Sequence, residues 1–147
     1  AGDVRGQMKF PSLTFYTDRL PRGVGGDAHG PVVRIRPIYR SDVGLHEHEQ
    51  EHVNQWWVVG LVSAALLSFV DVYAMLIAVG VHPALYRFVR QYRLWAEVRA
   101  YRIQMQYPNA SGVPLTLESA ALRLMSPRYD LRLTMGMAKE LLLAGWA

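Results

Sequence analysis

Between Trp56 and Val81 the chain carries one charged side chain, Asp71, within a run of aliphatic and aromatic residues. Such a segment must pack into a core, cover a partner or enter a bilayer, because water solvates it poorly. It is long enough to span a membrane. A helix unbroken from Asp42 to Val81 would extend about 60 Å at roughly 1.5 Å per residue, too long for a compact domain of this size. A break is therefore expected near Gly60 or Asp71.

Composition narrows the rest. The 147 residues suit a single domain, 1–147, and a chain that is 51% hydrophobic and 19% charged is not disordered. The chain contains no cysteine. That excludes disulfides, thiolate metal sites, iron–sulfur clusters and a cysteine nucleophile, so any metal must use His, Asp or Glu. The net charge is +4, and only Lys9 and Lys139 among the 16 cationic residues are lysine. The arginines are scattered with no basic block, so nucleic-acid binding is not expected.

The first forty residues read as strands and loops. SLTFYT (12–17) and PVVRIRPIY (31–39) are β-rich, and Pro37 marks the second as an edge strand. The glycine-rich stretch from Pro21 to Gly30 reads as a flexible hairpin connection. Ser41 or Asp42 is placed to cap a helix through HEHEQEHVNQWW. His82 and Pro83 read as the cap and first turn of a second helix running to Gln106, the longest secure one. Asn109 to Pro114 is a turn, Thr116 and Ser126 bracket a short helix, and Thr134 caps a last one ending at Gly145. The fold class expected is α+β, N-terminal strands followed by a mainly helical part.

Chemistry concentrates at His48-Glu49-Gln50-Glu51-His52, which fits H-E-x-x-H. Residues four apart on a helix share a face, so both imidazoles can reach one zinc ion (Zn2+) while Glu49 addresses its water as general base. The bland alternative is a solvated His/Glu-rich face. A third ligand is required, and Asp71, Glu97, Glu118 and Glu140 are the candidates considered. Glu97, flanked by Trp95, Val98 and Tyr101, is favoured, because a carboxylate in apolar surroundings needs a cation or a metal. The competing reading is an i,i+4 pair with Arg93. Tyr101, one turn beyond Glu97, either points its hydroxyl at a developing oxyanion or packs in the core. His46 should face away from His48, His29 reads as a loop histidine, and Trp56 and Trp57 as core or interface aromatics.

LHEHEQEHVNQWW followed by a helix containing EVRAYR resembles small zincin-like metallopeptidases of the gluzincin type, many encoded by bacteria and their phages. The resemblance covers roughly residues 31–106. It implies zinc held by His48, His52 and Glu97, Glu49 as general base, and a peptide or protein substrate aligned along an edge strand, here PVVRIRPIY, by β-augmentation. His46 and Gln50-Glu51 depart from the family's usual motif.

The leading expectation is a zinc metallopeptidase of zincin-like fold. One alternative is a non-catalytic structural or assembly protein, homo-oligomeric or part of a larger particle through residues 56–81. Another is a membrane metallopeptidase with one span from Trp56 to Val81, disfavoured because Asp71 would sit mid-span. AGDVRGQMKF has no apolar signal region, which points to a cytoplasmic or virion-associated protein.

Overall fold

The computed structural model describes residues 9–144. The N-terminal decapeptide on which the localisation reading rests lies mostly outside them, as does Gly145. The fold is α+β and mostly helical, with five α-helices and a three-stranded sheet among the described residues. The strands are β1 (Leu13–Tyr16), β2 (Gly26–His29) and β3 (Val32–Ile35).

Two strand expectations are corrected. The strand within PVVRIRPIY is central, because β3 pairs parallel with β1 and antiparallel with β2. Pro37 does not interrupt the ladder, since it begins a 3-10 turn, Pro37–Tyr39, after the strand has ended. The edge on the helix side is β2, cut from the glycine-rich stretch read as a connection. Its residues are poor strand formers. They are held by register against β3 and by Arg34, whose Nε and Nη2 donate to the Asp27 carboxylate at 2.8 and 2.6 Å across the ladder.

Helix α1 (Val43–Ser68) starts where the capping reading places it: the Asp42 side chain accepts from Leu45 N at 2.8 Å. It continues through Gly60 for 26 residues. The packing of α1 against the helical residues 72–88 that follow it offsets the cost of one glycine, about 1 kcal/mol. The break comes at Asp71, whose carboxylate accepts from Tyr73 N at 2.7 Å and caps a 3-10 segment, Val72–Ile77. The single spanning helix from Trp56 to Val81 therefore does not form, and no single described helix is long and apolar enough to cross a membrane.

The helix expected from Pro83 is two helices, α2 (Ala78–Phe88) and α3 (Arg90–Gln104). Val89 takes extended dihedrals between them, and the axes of 72–88 and 90–104 meet at 96°. His82 is buried within α2 and is not a cap; Pro83 follows it inside the same helix. Arg93 braces the bend. Its Nη1 donates to the carbonyls of Tyr86 and Arg87 at 2.9 and 3.1 Å, and its Nε to the carbonyl of Tyr129 at 2.7 Å. The guanidinium thus caps the C-terminus of α2, a favoured place for a cation.

The C-terminal part follows expectation. Thr116 caps α4 (Leu117–Leu124), accepting from Ser119 N at 3.2 Å, and Thr134 Oγ1 accepts from Met137 N at 3.3 Å at the start of α5 (Met135–Ala144). Two apolar clusters result. Val98, Leu124, Ala138 and Leu142 anchor the one under α3, α4 and α5, while Val33, Ile35 and Val53 join the sheet to α1. Of the apolar run itself, Ala78 is buried and Trp57 packs against the sheet cluster, but most of the rest is not core. Leu66, Val70, Tyr73 and Leu76 are exposed, and Phe69 is 88% accessible.

Helices α1 and α3 lie antiparallel: Gln55 meets Ala96 at one end, and Gly44 meets Gln104 at the other. A Cβ on Gly44 would stand 3.1 Å from the carbonyl oxygen of Gln104 and 3.2 Å from that of Tyr107, both backbone atoms. Gly44→Ala is expected to destabilise the protein by about 1–3 kcal/mol in denaturant unfolding. Gly80→Ala in α2, where a Cβ meets nothing within 4 Å, is expected to be neutral or to stabilise by up to about 1 kcal/mol.

Candidate metal centre

His48 and His52 project from one face of α1, as their four-residue spacing requires, and Glu97 comes from the facing turn of α3. One Glu97 oxygen lies 3.7 Å from His48 Nε2, and the other 3.5 Å from His52 Nε2. One donor atom from each residue falls within 4.8 Å of the others. An ion with bonds of about 2.0–2.2 Å in tetrahedral geometry holds its donors roughly 3.3–3.6 Å apart, close to the separation between each imidazole and its nearer Glu97 oxygen.

Burial sharpens the demand for a cation. Glu97 is 1% exposed, its Oε1 accepts from the Tyr86 hydroxyl, and its Oε2 has no hydrogen-bond partner among the described residues. A carboxylate oxygen left unpartnered at that depth is costly. The ion-pair alternative does not operate, since Arg93 is turned to the end of α2 and to Tyr129. Burial, with the charges of His52 and Arg123, holds His48 well below the usual imidazole range, in the neutral form that ligates metals.

His52 is oriented from behind. Its Nδ1 lies 3.2 Å from Gln55 Oε1, and the Gln55 amide donates to Glu51 Oε1 and to the Ala96 carbonyl at 3.2 Å each. Arg99 Nε donates to the same Glu51 oxygen at 2.8 Å. A chain of this kind selects the Nδ1–H tautomer and leaves Nε2 free for a metal. It also gives Glu51, 2% exposed, a role that the motif assigns to no residue at that position.

Glu49 lines the open cleft beside the two imidazoles. Burial, reinforced by the negative charges of Glu97 and Asp27, pushes its carboxyl well above the ordinary range. Gly26 of β2 closes over it: a Cβ there would lie 3.1 Å from Glu49 Oε1. The cleft has a volume of about 1170 Å³ and runs between β2 and the segment joining α4 to α5.

Tyr101 packs its ring 4.5 Å from that of His48, and its hydroxyl shares a 3.0 Å hydrogen bond with Tyr129. Burial and the Glu97 charge raise its pKa. The tyrosine that reaches Glu97 is Tyr86, which sequence reasoning missed. His82, one turn before it, also lines the cleft, with Nδ1 2.6 Å from the Tyr92 hydroxyl, and is lowered to about 4 by burial and then by the His52 charge. Pro83 invited its reading as a cap; a His-x-x-x-Tyr spacing on one helical face was the available signal.

His46 points away, bonded to the Asp42 carbonyl at 2.7 Å and to Tyr16 at 3.2 Å. His29 sits on β2, 3.3 Å from Asp27. Neither joins the metal group. Asp71, Glu118 and Glu140 lie elsewhere. Trp56 Nε1 donates to the Val79 carbonyl and Trp57 Nε1 to the Pro11 carbonyl, fixing α1 to α2 and to the N-terminal segment.

No protein-family model, curated protein or solved structure matches this chain. The site is therefore judged on its own geometry.

Gln55→Leu is expected to lower metal affinity by about 10- to 100-fold in chelator competition by removing the acceptor behind His52. Arg93→Ala, which strips three carbonyls of a charged donor, is expected to cost on the order of 2 kcal/mol in thermal unfolding.

Proposed function

We propose that the protein is a zinc-dependent peptidase with a zincin-like site. The observation that carries the reading is the convergence of one donor atom each from His48, His52 and Glu97 within 4.8 Å, with Glu49 beside them in an open cleft. The donors are two imidazoles and one carboxylate, a set that suits zinc and leaves a position free for water or substrate. Zinc bound there would supply Lewis-acid polarisation of a substrate carbonyl and of water.

The chain's own groups divide the remaining work. Glu49 takes the proton of the attacking water and delivers it to the leaving amine nitrogen as the C–N bond breaks. The outer edge of β2, paired on its other side with β3, offers free backbone donors and acceptors to an extended peptide. Gly26 admits that peptide's backbone close to Glu49 because it has no side chain to intervene. Tyr86 holds one oxygen of Glu97 and stands at the cleft, where its hydroxyl is within reach of a bound substrate.

A second reading, a non-catalytic assembly protein, is favoured by the exposed apolar surface around Leu66, Phe69, Val70 and Tyr73. Metal analysis and hydrolysis separate the two. Wild type is expected to hold about one zinc per chain and Glu97→Ala to lose it. Glu49→Gln is expected to keep the metal while peptide hydrolysis falls by about 100- to 10,000-fold. A wild type that binds zinc but cleaves no peptide, tested against a diverse peptide mixture by mass spectrometry, would favour the assembly protein.

A further inference from the structure

The wall of the cleft opposite β2 is basic. Arg123 at the end of α4, Arg128 in the 3-10 turn Pro127–Tyr129 and Arg87 at the end of α2 all line the cavity that contains Glu49 and the imidazoles. None of the three makes a salt bridge or a side-chain hydrogen bond with another described residue. Other arginines do: Arg34 holds Asp27, Arg36 holds the carbonyls of Val24 and Leu20, Arg93 braces the helix bend and Arg99 holds Glu51. Unpaired arginines occur elsewhere on the surface too; what sets these three apart is that they share one cavity, where Arg128 lies over the Tyr129 ring and Arg87 beside Phe88 but no carboxylate meets any of them among the described residues.

Their positive charge reaches the reacting groups. Arg128 acts on His48, Glu49, Tyr86 and Tyr101, and Arg123 on His48 and Tyr101. The acids that share the cleft do not satisfy the arginines. Asp27 is taken by Arg34, Asp42 caps α1, and Glu49 and Glu97 belong to the centre itself. A planar guanidinium matches a carboxylate in two parallel hydrogen bonds, and because all three arginines are exposed the pairing is open to salt screening.

We propose that Arg123 and Arg128, supported by Arg87, form a receptor for a carboxylate of the bound peptide, so that the cleft selects acidic substrates. This rests on reading the cleft as peptide-binding. An extended peptide on the edge of β2 presents its side chains or its C-terminus to the facing wall, where these three residues stand. The carboxylate is supplied either by an Asp or Glu side chain or by the free end of the chain.

The test is binding, measured by calorimetry with the 147-residue Glu49→Gln protein so that no peptide is consumed. One extended sequence is used in three forms: neutral with both ends blocked, blocked with one internal Glu, and neutral with a free C-terminal carboxylate. At least one acidic form is expected to bind about tenfold more tightly than the neutral one, with a preference that weakens as salt rises. The form that gains identifies the source of the carboxylate. Arg123→Ala combined with Arg128→Ala is expected to abolish the preference while metal content and unfolding midpoint stay unchanged.

Equal binding of all three forms, no binding, or a preference that survives the double substitution would overturn the proposal. Metal analysis of the same samples distinguishes the two readings. A chain that takes up no zinc yet keeps arginine-dependent binding fails as a hydrolase and stands as a receptor.

Discussion

The carboxylate of Glu97 is the point at which three helices meet. Two imidazoles approach it from α1 and a phenol from α2, and its own helix, α3, delivers it from below. Few groups are harder to bury than a carboxylate, and this one is almost fully enclosed with one oxygen unpartnered among the described residues. Desolvation of that order is offset only by a cation or several good donors. The surrounding packing is organised accordingly. Ala96 and Ala100 are fully buried and small, and with Gly44 they let α3 lie close enough to α1 for Glu97 to reach both histidines.

The contact between α1 and α3 is polar along much of its length and separates two apolar clusters. Glu51, Gln55 and Arg99 continue the line that His48, His52 and Glu97 begin. Such a seam contributes little net stability, because each buried polar group must first be dehydrated. It fixes register instead. Sliding α3 by one turn would separate Glu97 from its imidazoles and Arg99 from Glu51 together.

What the sequence discloses and what it hides divide along the range of the interaction. The H-E-x-x-H spacing, the Asp42, Thr116 and Thr134 caps and the mid-helix Glu97 are local signals, and the structure puts His48, His52 and Glu97 at one point. The elements missed depend on partners far along the chain. Strand β2 is a strand only because β3 and Arg34 hold it. The bend at Val89 is braced through the carbonyl of Tyr129, 36 residues beyond Arg93. Tyr86 came into view only through that bend, since in a straight helix it would stand about 16 Å along the axis from Glu97. Gly60 misled in the opposite sense, because a lone glycine within a long helix is tolerated when the flanks pack.

The bend has a further consequence for motion. One guanidinium, that of Arg93, ties the end of α2 to the carbonyl of Tyr129, and so links the two segments that carry Arg87 and Arg128. These segments form one bank of the cleft and β2 forms the other. With that clasp intact, the two segments cannot part without breaking hydrogen bonds to a charged donor, so the spacing between Arg87 and Arg128 is set by Arg93 and not by the length of the chain between them.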